Sequence, residues 1–315
     1  MTDKPDDIFQ RILGDGRGLL HIVGLALIFS GCFAIFVALT RFFLPHDLLH
    51  IGFDADSLAL LNPRLVDFMF HNRAAWGGSL IGVGIIWLWL VHFPLSEGSE
   101  AAWRILRIFG IVGFASFLCF VGYGYFDLWH GVATLALLPF FIVGLSRARA
   151  LLSKRNEPNT GALPAKGFSL LLWFYAFGLL LAGVAILIIS ITSVYVPEDL
   201  AFMALCGADI ESFSQRLTPV IAHDRSSFGG SLFTLGLTLI LIFKKFPLTN
   251  SLWQCLLLSG IAGFGAAIGI HYYIGYTDLV HLGPAWLMCV NLRRGLREFD
   301  SSVYVSFGHI DNDKG

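Results

Sequence analysis

The stretch His71-Asn72-Arg73-Ala74-Ala75-Trp76-Gly77-Gly78-Ser79-Leu80 returns 152 residues later as His223-Asp224-Arg225-Ser226-Ser227-Phe228-Gly229-Gly230-Ser231-Leu232. Arg64-Leu65 and Arg216-Leu217 keep the same offset, as do Pro45-His46-Asp47-Leu48 and Pro197-Glu198-Asp199-Leu200. Phe93-Pro94-Leu95 recurs as Phe246-Pro247-Leu248 at 153, and Asp127-Leu128-Trp129-His130 as Asp278-Leu279-Val280-His281 at 151. A nearly constant offset over separated segments marks a tandem duplication. The units are 1–156 and 157–315, and the polar, proline- and glycine-containing stretch 154–167 reads as the linker between them.

Composition says what each unit is made of. Of 315 residues, 56% are hydrophobic and 14% charged, where a soluble domain carries about 25% charge. Mean hydropathy is +0.73. Apolar runs recur at 19–41, 74–93, 105–124, 128–146, 168–193, 226–243, 252–274 and 279–292. Each approaches the length needed to cross the ~30 Å hydrocarbon layer, where only helices satisfy their own backbone. The expectation is an all-α integral membrane protein of eight transmembrane helices, built as two tandem four-helix bundles. An even number of crossings per unit gives both copies one orientation, hence a pseudo-twofold axis along the membrane normal. The first run is too long for a signal-peptide core and lacks a cleavage site, so it reads as a retained helix.

Eight crossings put 16 of the 21 lysines and arginines on the side of the termini and five, Arg41, Arg64, Arg73, Arg216 and Arg225, on the other. Both termini are therefore expected in the cytoplasm, with the bacterial inner membrane as the setting and the long connections 42–62 and 194–213 outside. The net charge of −1 provides no basic field for nucleic acid. The five cysteines form no CxxC pair and suggest neither a disulfide framework nor a thiol redox motif.

Four of the ten histidines fall on repeat-equivalent positions, namely His71, His130, His223 and His281. They lie near the outer ends of the second, fourth, sixth and eighth spans. Within a unit the second and fourth spans enter from the same side, so the two histidines of one unit are expected to face each other. Asn62-Pro63 supplies a cap and first residue for the second span, and Asp127 and Asp278 cap the fourth and eighth. The faces carrying His71 and His223 continue inward through Ala75 and Gly78, and through Ser227 and Gly230. Outward they meet Arg64 and Arg216, about 10 Å away at 1.5 Å per residue. Axial histidines, small residues beside them and an arginine at the rim suit a b-type heme with its propionates. Small residues are equally what close helix crossings need, and a lone interfacial histidine more often caps or snorkels. Arg73 and Arg225 stand two residues beyond a histidine and so point off its face, toward headgroups or the other unit. Among the outer acids Asp47, Asp54, Asp56, Asp199, Asp209 and Glu211, the sequence selects none.

This layout resembles heme A synthase. That family has two four-helix units, cytoplasmic termini, and histidines at the outer ends of the second, fourth, sixth and eighth helices. The resemblance is architectural. Arg73 and Arg225 stand two residues after the histidine rather than one, and Phe68 and Val220 occupy the position three before it, where the family has glutamate. The resemblance implies that His71 and His130 face a substrate heme and that His223 and His281 hold heme b. The resulting expectation is a membrane heme protein with bis-histidine ligation, acting in electron transfer or heme modification. Its partners would be the bilayer and a quinone or redox membrane protein. If it is an enzyme, it would be a heme-dependent oxidoreductase. A cofactor-free tandem-repeat transporter and a non-catalytic subunit of a membrane complex are the alternatives.

Overall fold

A computed structural model of the chain describes residues 14–116, 124, 125, 128–152 and 169–308, with Ser116 and the last ten as backbone only. The linker 154–167 and Asp127 lie outside the described residues. Among them every regular element is helical. The first repeat contains α1 (Arg17–Thr40), two short helices α2 (Pro45–Ile51) and α3 (Ala55–Leu61), then α4 (Pro63–His92), α5 (Glu100–Ser116) and α6 (Leu128–Ala148). The second repeats the series as α7 (Leu170–Ile191), α8 (Pro197–Met203), α9 (Gly207–Phe213), α10 (Leu217–Lys245), α11 (Asn250–Ile274) and α12 (Leu279–Gly308). Helices α1, α4, α6, α7, α10 and α11 are long and apolar enough to cross a membrane. Of the other two expected crossings, α5 is described only as far as Ser116, and α12 runs into Arg293, Arg294 and Arg297. Exposed phenylalanines along α1, such as Phe29, Phe33 and Phe36, belong to an integral membrane protein rather than to a water-facing surface.

The sequence explains the boundaries. Asn62 caps α4 by accepting from Leu65 N at 2.9 Å, with Pro63 as the first helical residue. Asp278 caps α12, accepting from Val280 N at 2.8 Å and His281 N at 3.0 Å. In α2 and α8, Asp47 and Asp199 accept from the backbone N–H groups of Leu44 at 3.0 Å and Val196 at 2.8 Å.

Two helices form the centre. In α4 and α10, 72% of the apolar stretch is buried, against 22–33% in the other four spans. They meet each other through Ser79 and Ser231, equivalent residues whose hydroxyls are 2.5 Å apart. Each also packs closely on the first span of its own repeat, because glycine faces glycine there. A Cβ on Gly77 would stand 2.6 Å from the Gly31 carbonyl oxygen, and one on Gly229 would stand 3.1 Å from that of Gly183. Each central helix then makes its next most extensive packing with the third span of the opposite repeat, α4 with α11 and α10 with α5. Gly78 is used there, against Ala262 and Ala266 of α11. The four-helix units are thus interlocked rather than separate bundles.

The short helices lie together at one end and complete the interlock. Asn62 Nδ2 donates to Met203 O at 2.9 Å, and the equivalent Ser214 Oγ donates to Ile51 O at 3.4 Å. Arg64 donates to Phe202 O and Arg216 to His50 O, both at 3.1 Å. In each pair, donor and acceptor exchange repeats, which is the reciprocity a twofold relation requires.

Candidate functional site

The interlock decides which histidines meet. His71 of α4 has its ring centroid 6.1 Å from that of His281 in α12, across the repeat boundary. His223 of α10 lies 5.7 Å from His130 of α6, across the same boundary. The expected pairings within a unit, His71 with His130 and His223 with His281, are replaced by these two crossed ones. The reason is packing: α4 and α10 turn their histidine faces toward the opposite repeat.

Each crossed pair adjoins a duplicated polar triad. In the first triad, beside the His223–His130 pair, Arg73 donates to both carboxylate oxygens of Asp47, at 2.7 and 3.0 Å, and Tyr125 OH donates to Asp47 as well. Arg73 Nε reaches across to Asp224 at 2.9 Å. In the second, Arg225 donates to Asp199 at 2.5 Å and to Val194 O at 2.7 Å, and Tyr276 OH donates to Asp199 at 2.8 Å. Asp47 and Asp199 are fully buried, and both arginines nearly so. Burial alone would raise the Asp47 pKa. The Arg73 charge and hydrogen bonds, together with Tyr125, outweigh it and hold that carboxyl below the usual range. Burial and the neighbouring Asp199 hold the Tyr276 phenol well above its ordinary value, so it remains a donor. Arg73 does bridge the repeats. Arg225, turned away from His223, reaches the cavity that His71 lines.

The His71 site gains a third imidazole. His271 of α11 lies 4.8 Å from His71 and 5.1 Å from His281, centroid to centroid. One ring nitrogen from each of the three comes within 4.8 Å of the others. A carbonyl only accepts, so Nδ1–H of His71 donates to Phe68 O at 2.5 Å and Nδ1–H of His271 donates to Ala267 O at 2.6 Å. His281 Nδ1 lies 3.7 Å from an Asp199 oxygen. Nε2 is left as the lone-pair nitrogen in His71 and His271, and that of His271 is buried without a hydrogen-bond partner. Among the described residues, no third imidazole joins His130 and His223 as His271 joins His71 and His281. His50 instead approaches Tyr125 at 4.7 Å, and Tyr125 lies 5.3 Å from His223.

Two cavities open beside these sites. The larger, about 420 Å³, is lined at one end by His71, His271, His281, Arg225 and Glu198 and runs inward past Ala75, Ser79 and Gly82 to Tyr175 and Met288. From His71 to Gly82 is about 16 Å of helix. Its counterpart beside His130, about 120 Å³, is lined by Ser227 and Gly230 and by Trp76 and Trp87. Ala75 lines the larger cavity as the spacing suggests, whereas Gly78 is spent on the α11 contact. Arg64 and Arg216 are exposed and tie the short helices together; neither lines either of these two cavities.

A heme held between the paired imidazoles does not fit these side chains. His271 is nearly equidistant from His71 and His281, at 4.8 and 5.1 Å, and stands to one side of the line joining them, where the macrocycle would extend. Between His130 and His223 the space is small, and Trp76 lies 5.2 Å from His130. The spacing instead suits a single ion, and only the larger cavity has room for a flat organic molecule. Comparison with known proteins finds no matching family model, no matching curated protein and no matching solved structure.

Proposed function

We propose that the protein takes an apolar, lipid-soluble ligand with a polar end into the larger cavity and presents it to the histidine cluster, for electron transfer or modification of that ligand. In this reading the chain crosses a bacterial inner membrane eight times with both termini in the cytoplasm, and the cluster stands at the outer face. The observation that carries it is the cavity itself. At about 420 Å³ it lies within the roughly 300–1,000 Å³ of ligand pockets, which are apolar with a few convergent polar groups. Two of its lining residues keep buried polar atoms without a hydrogen-bond partner, His271 Nε2 at one end and Ser259 Oγ deeper in. Buried polar atoms of this kind are normally satisfied, so they mark where an occupant supplies the missing partner. A quinone–quinol ring on an isoprenoid chain has the right form: one oxygen accepts from Arg225, and in the quinol state a hydroxyl donates to the Nε2 lone pair of an imidazole.

The test is chemical. Protein purified in mild detergent is extracted with organic solvent and the extract identified by mass spectrometry. The expected result is about one equivalent of a lipid-soluble compound, lost in Ala75→Phe, which fills the cavity while the protein stays monodisperse. A protein that retains no such compound, and takes up no added quinone, overturns the proposal.

A further inference from the structure

We infer that His71, His271 and His281 form a mononuclear, non-heme site for a first-row transition metal ion, built jointly by the two repeats. This deepens the functional reading by naming what the histidines hold beside the cavity. Three observations carry it. The first is spacing. A triangle of ring centroids with sides of 4.8, 5.1 and 6.1 Å has a centre equidistant from all three corners at about 3.1 Å, matching a metal–nitrogen bond of about 2.0–2.1 Å plus the half-width of the ring. An ion at that centre reaches all three imidazoles.

The second is protonation. The Nδ1–H groups of His71 and His271 are committed to the carbonyls of Phe68 and Ala267, and His281 Nδ1 faces Asp199. Oxygen acceptors behind metal-bound imidazoles fix the tautomer and ring orientation in just this way. The buried His271 Nε2 without a partner is then an electron pair held ready for an ion. The third is the donor set. Neutral imidazoles without thiolate or direct carboxylate select zinc, copper, iron or nickel over calcium or magnesium. All three histidines line the larger cavity, so a fourth position opens toward its occupant. Three histidines with an open position are the pattern of catalytic rather than structural centres. The charge environment agrees: Asp199 balances Arg225, which stands at the same cavity end.

The sequence conceals this site because His271 has no counterpart at the equivalent position of the first repeat, where residues 119 and 120 are Cys and Phe. The duplication therefore built two related frames, and the second repeat added the third ligand to one of them.

Cobalt(II) is the probe. Chelator-treated full-length protein in detergent is titrated with Co²⁺, followed by its visible d–d absorption, and Zn²⁺ is used to compete. One equivalent with the intense bands of a low-coordinate site is expected. His271→Ala should weaken binding by at least the order of 10–100-fold seen when even a supporting partner is lost. His281→Ala should do the same, while His130→Ala, at the other crossed pair, leaves the titration unchanged. Size-exclusion profiles and melting temperatures check that each variant is folded. The inference is overturned by folded wild-type protein that binds no Co²⁺, by affinity unchanged in both His271→Ala and His281→Ala, or by a heme Soret band abolished in His71→Ala. Metal binding lost from a protein that still yields its extractable ligand sinks this inference alone. Metal binding by a protein that yields no ligand supports it while removing the cavity proposal.

Discussion

Removing Asp47 tests the buried frame that supports the sites. Its carboxylate is fully buried, receives two hydrogen bonds from Arg73 and one from Tyr125, and accepts from Leu44 N. In Asp47→Ala, Arg73 stays nearly inaccessible with Asp224 as its remaining carboxylate. Breaking a buried pair by deleting one partner costs about 3–5 kcal/mol, because the other charge is left uncompensated. Asp224 partly compensates, which places the expected loss near the lower end, about 3 kcal/mol. Arg73→Met/Asp47→Ala should recover part of it, since apolar replacement of both partners of a buried pair is often neutral. The half-exposed Arg104–Glu100 pair is the control, and Glu100→Ala should change stability by less than about 1 kcal/mol. The assay is reversible unfolding in mixed micelles, monitored by tryptophan fluorescence. A loss below about 1 kcal/mol for Asp47→Ala, or strictly additive single and double variants, would refute the reasoning.

The same carboxylate predicts a pH dependence. Its folded pKa lies below the ordinary value, so its contribution is complete above the unfolded value of about 3.9 and disappears as the pH falls through the lower folded value. The stability gap between wild type and Asp47→Asn should be constant from pH 5 to 8 and close in strong acid; a gap that persists there contradicts this. At the helix crossings, Gly77→Ala should destabilise by about 1–3 kcal/mol and Gly229→Ala by less, because the added methyl meets backbone at 2.6 Å in the first and at 3.0 Å in the second. Equal melting temperatures for the two would argue against the crossing geometry. Ser79→Cys/Ser231→Cys should form a disulfide across the axis, given 2.5 Å between the hydroxyls. With a protease site placed in 154–167, the halves should stay joined on non-reducing gels and separate when reduced; halves that separate without reductant would contradict the interface.

Much of this was legible from spacing. The duplication, the caps at Asn62 and Asp278, and the candidate histidines all follow from residue identities at fixed offsets. The pairing of the histidines was not legible, because a repeat reports which residues are equivalent and is silent on which copy they face. Packing decided that, through glycine contacts that bind α4 to α1 and α10 to α7 and leave their other faces to the opposite repeat. Asp47, Arg73 and Tyr125 recur at nearly constant offsets as Asp199, Arg225 and Tyr276, and that recurrence was the available signal for the triads. It went unused because the acids sit in connections rather than spans. Arg64 and Arg216 had the spacing of rim residues, yet the opposite repeat's short helix takes their hydrogen bonds. His271 carried no repeat signal, and only its place on α11, against the opposite repeat's α4, brings it to His71.

The central claim is that one ligand centre is shared between repeats, with His71 from the first and His281 from the second. The most direct test is a double-mutant cycle on Co²⁺ affinity, using His71→Ala, His281→Ala and His130→Ala singly and in pairs. The account predicts that the combined loss in His71→Ala/His281→Ala departs from the sum of the two single losses, while His130→Ala changes affinity neither alone nor combined with His71→Ala. Coupling between His71 and His130 instead, with His281 independent of both, would place each centre within a single repeat and contradict the account.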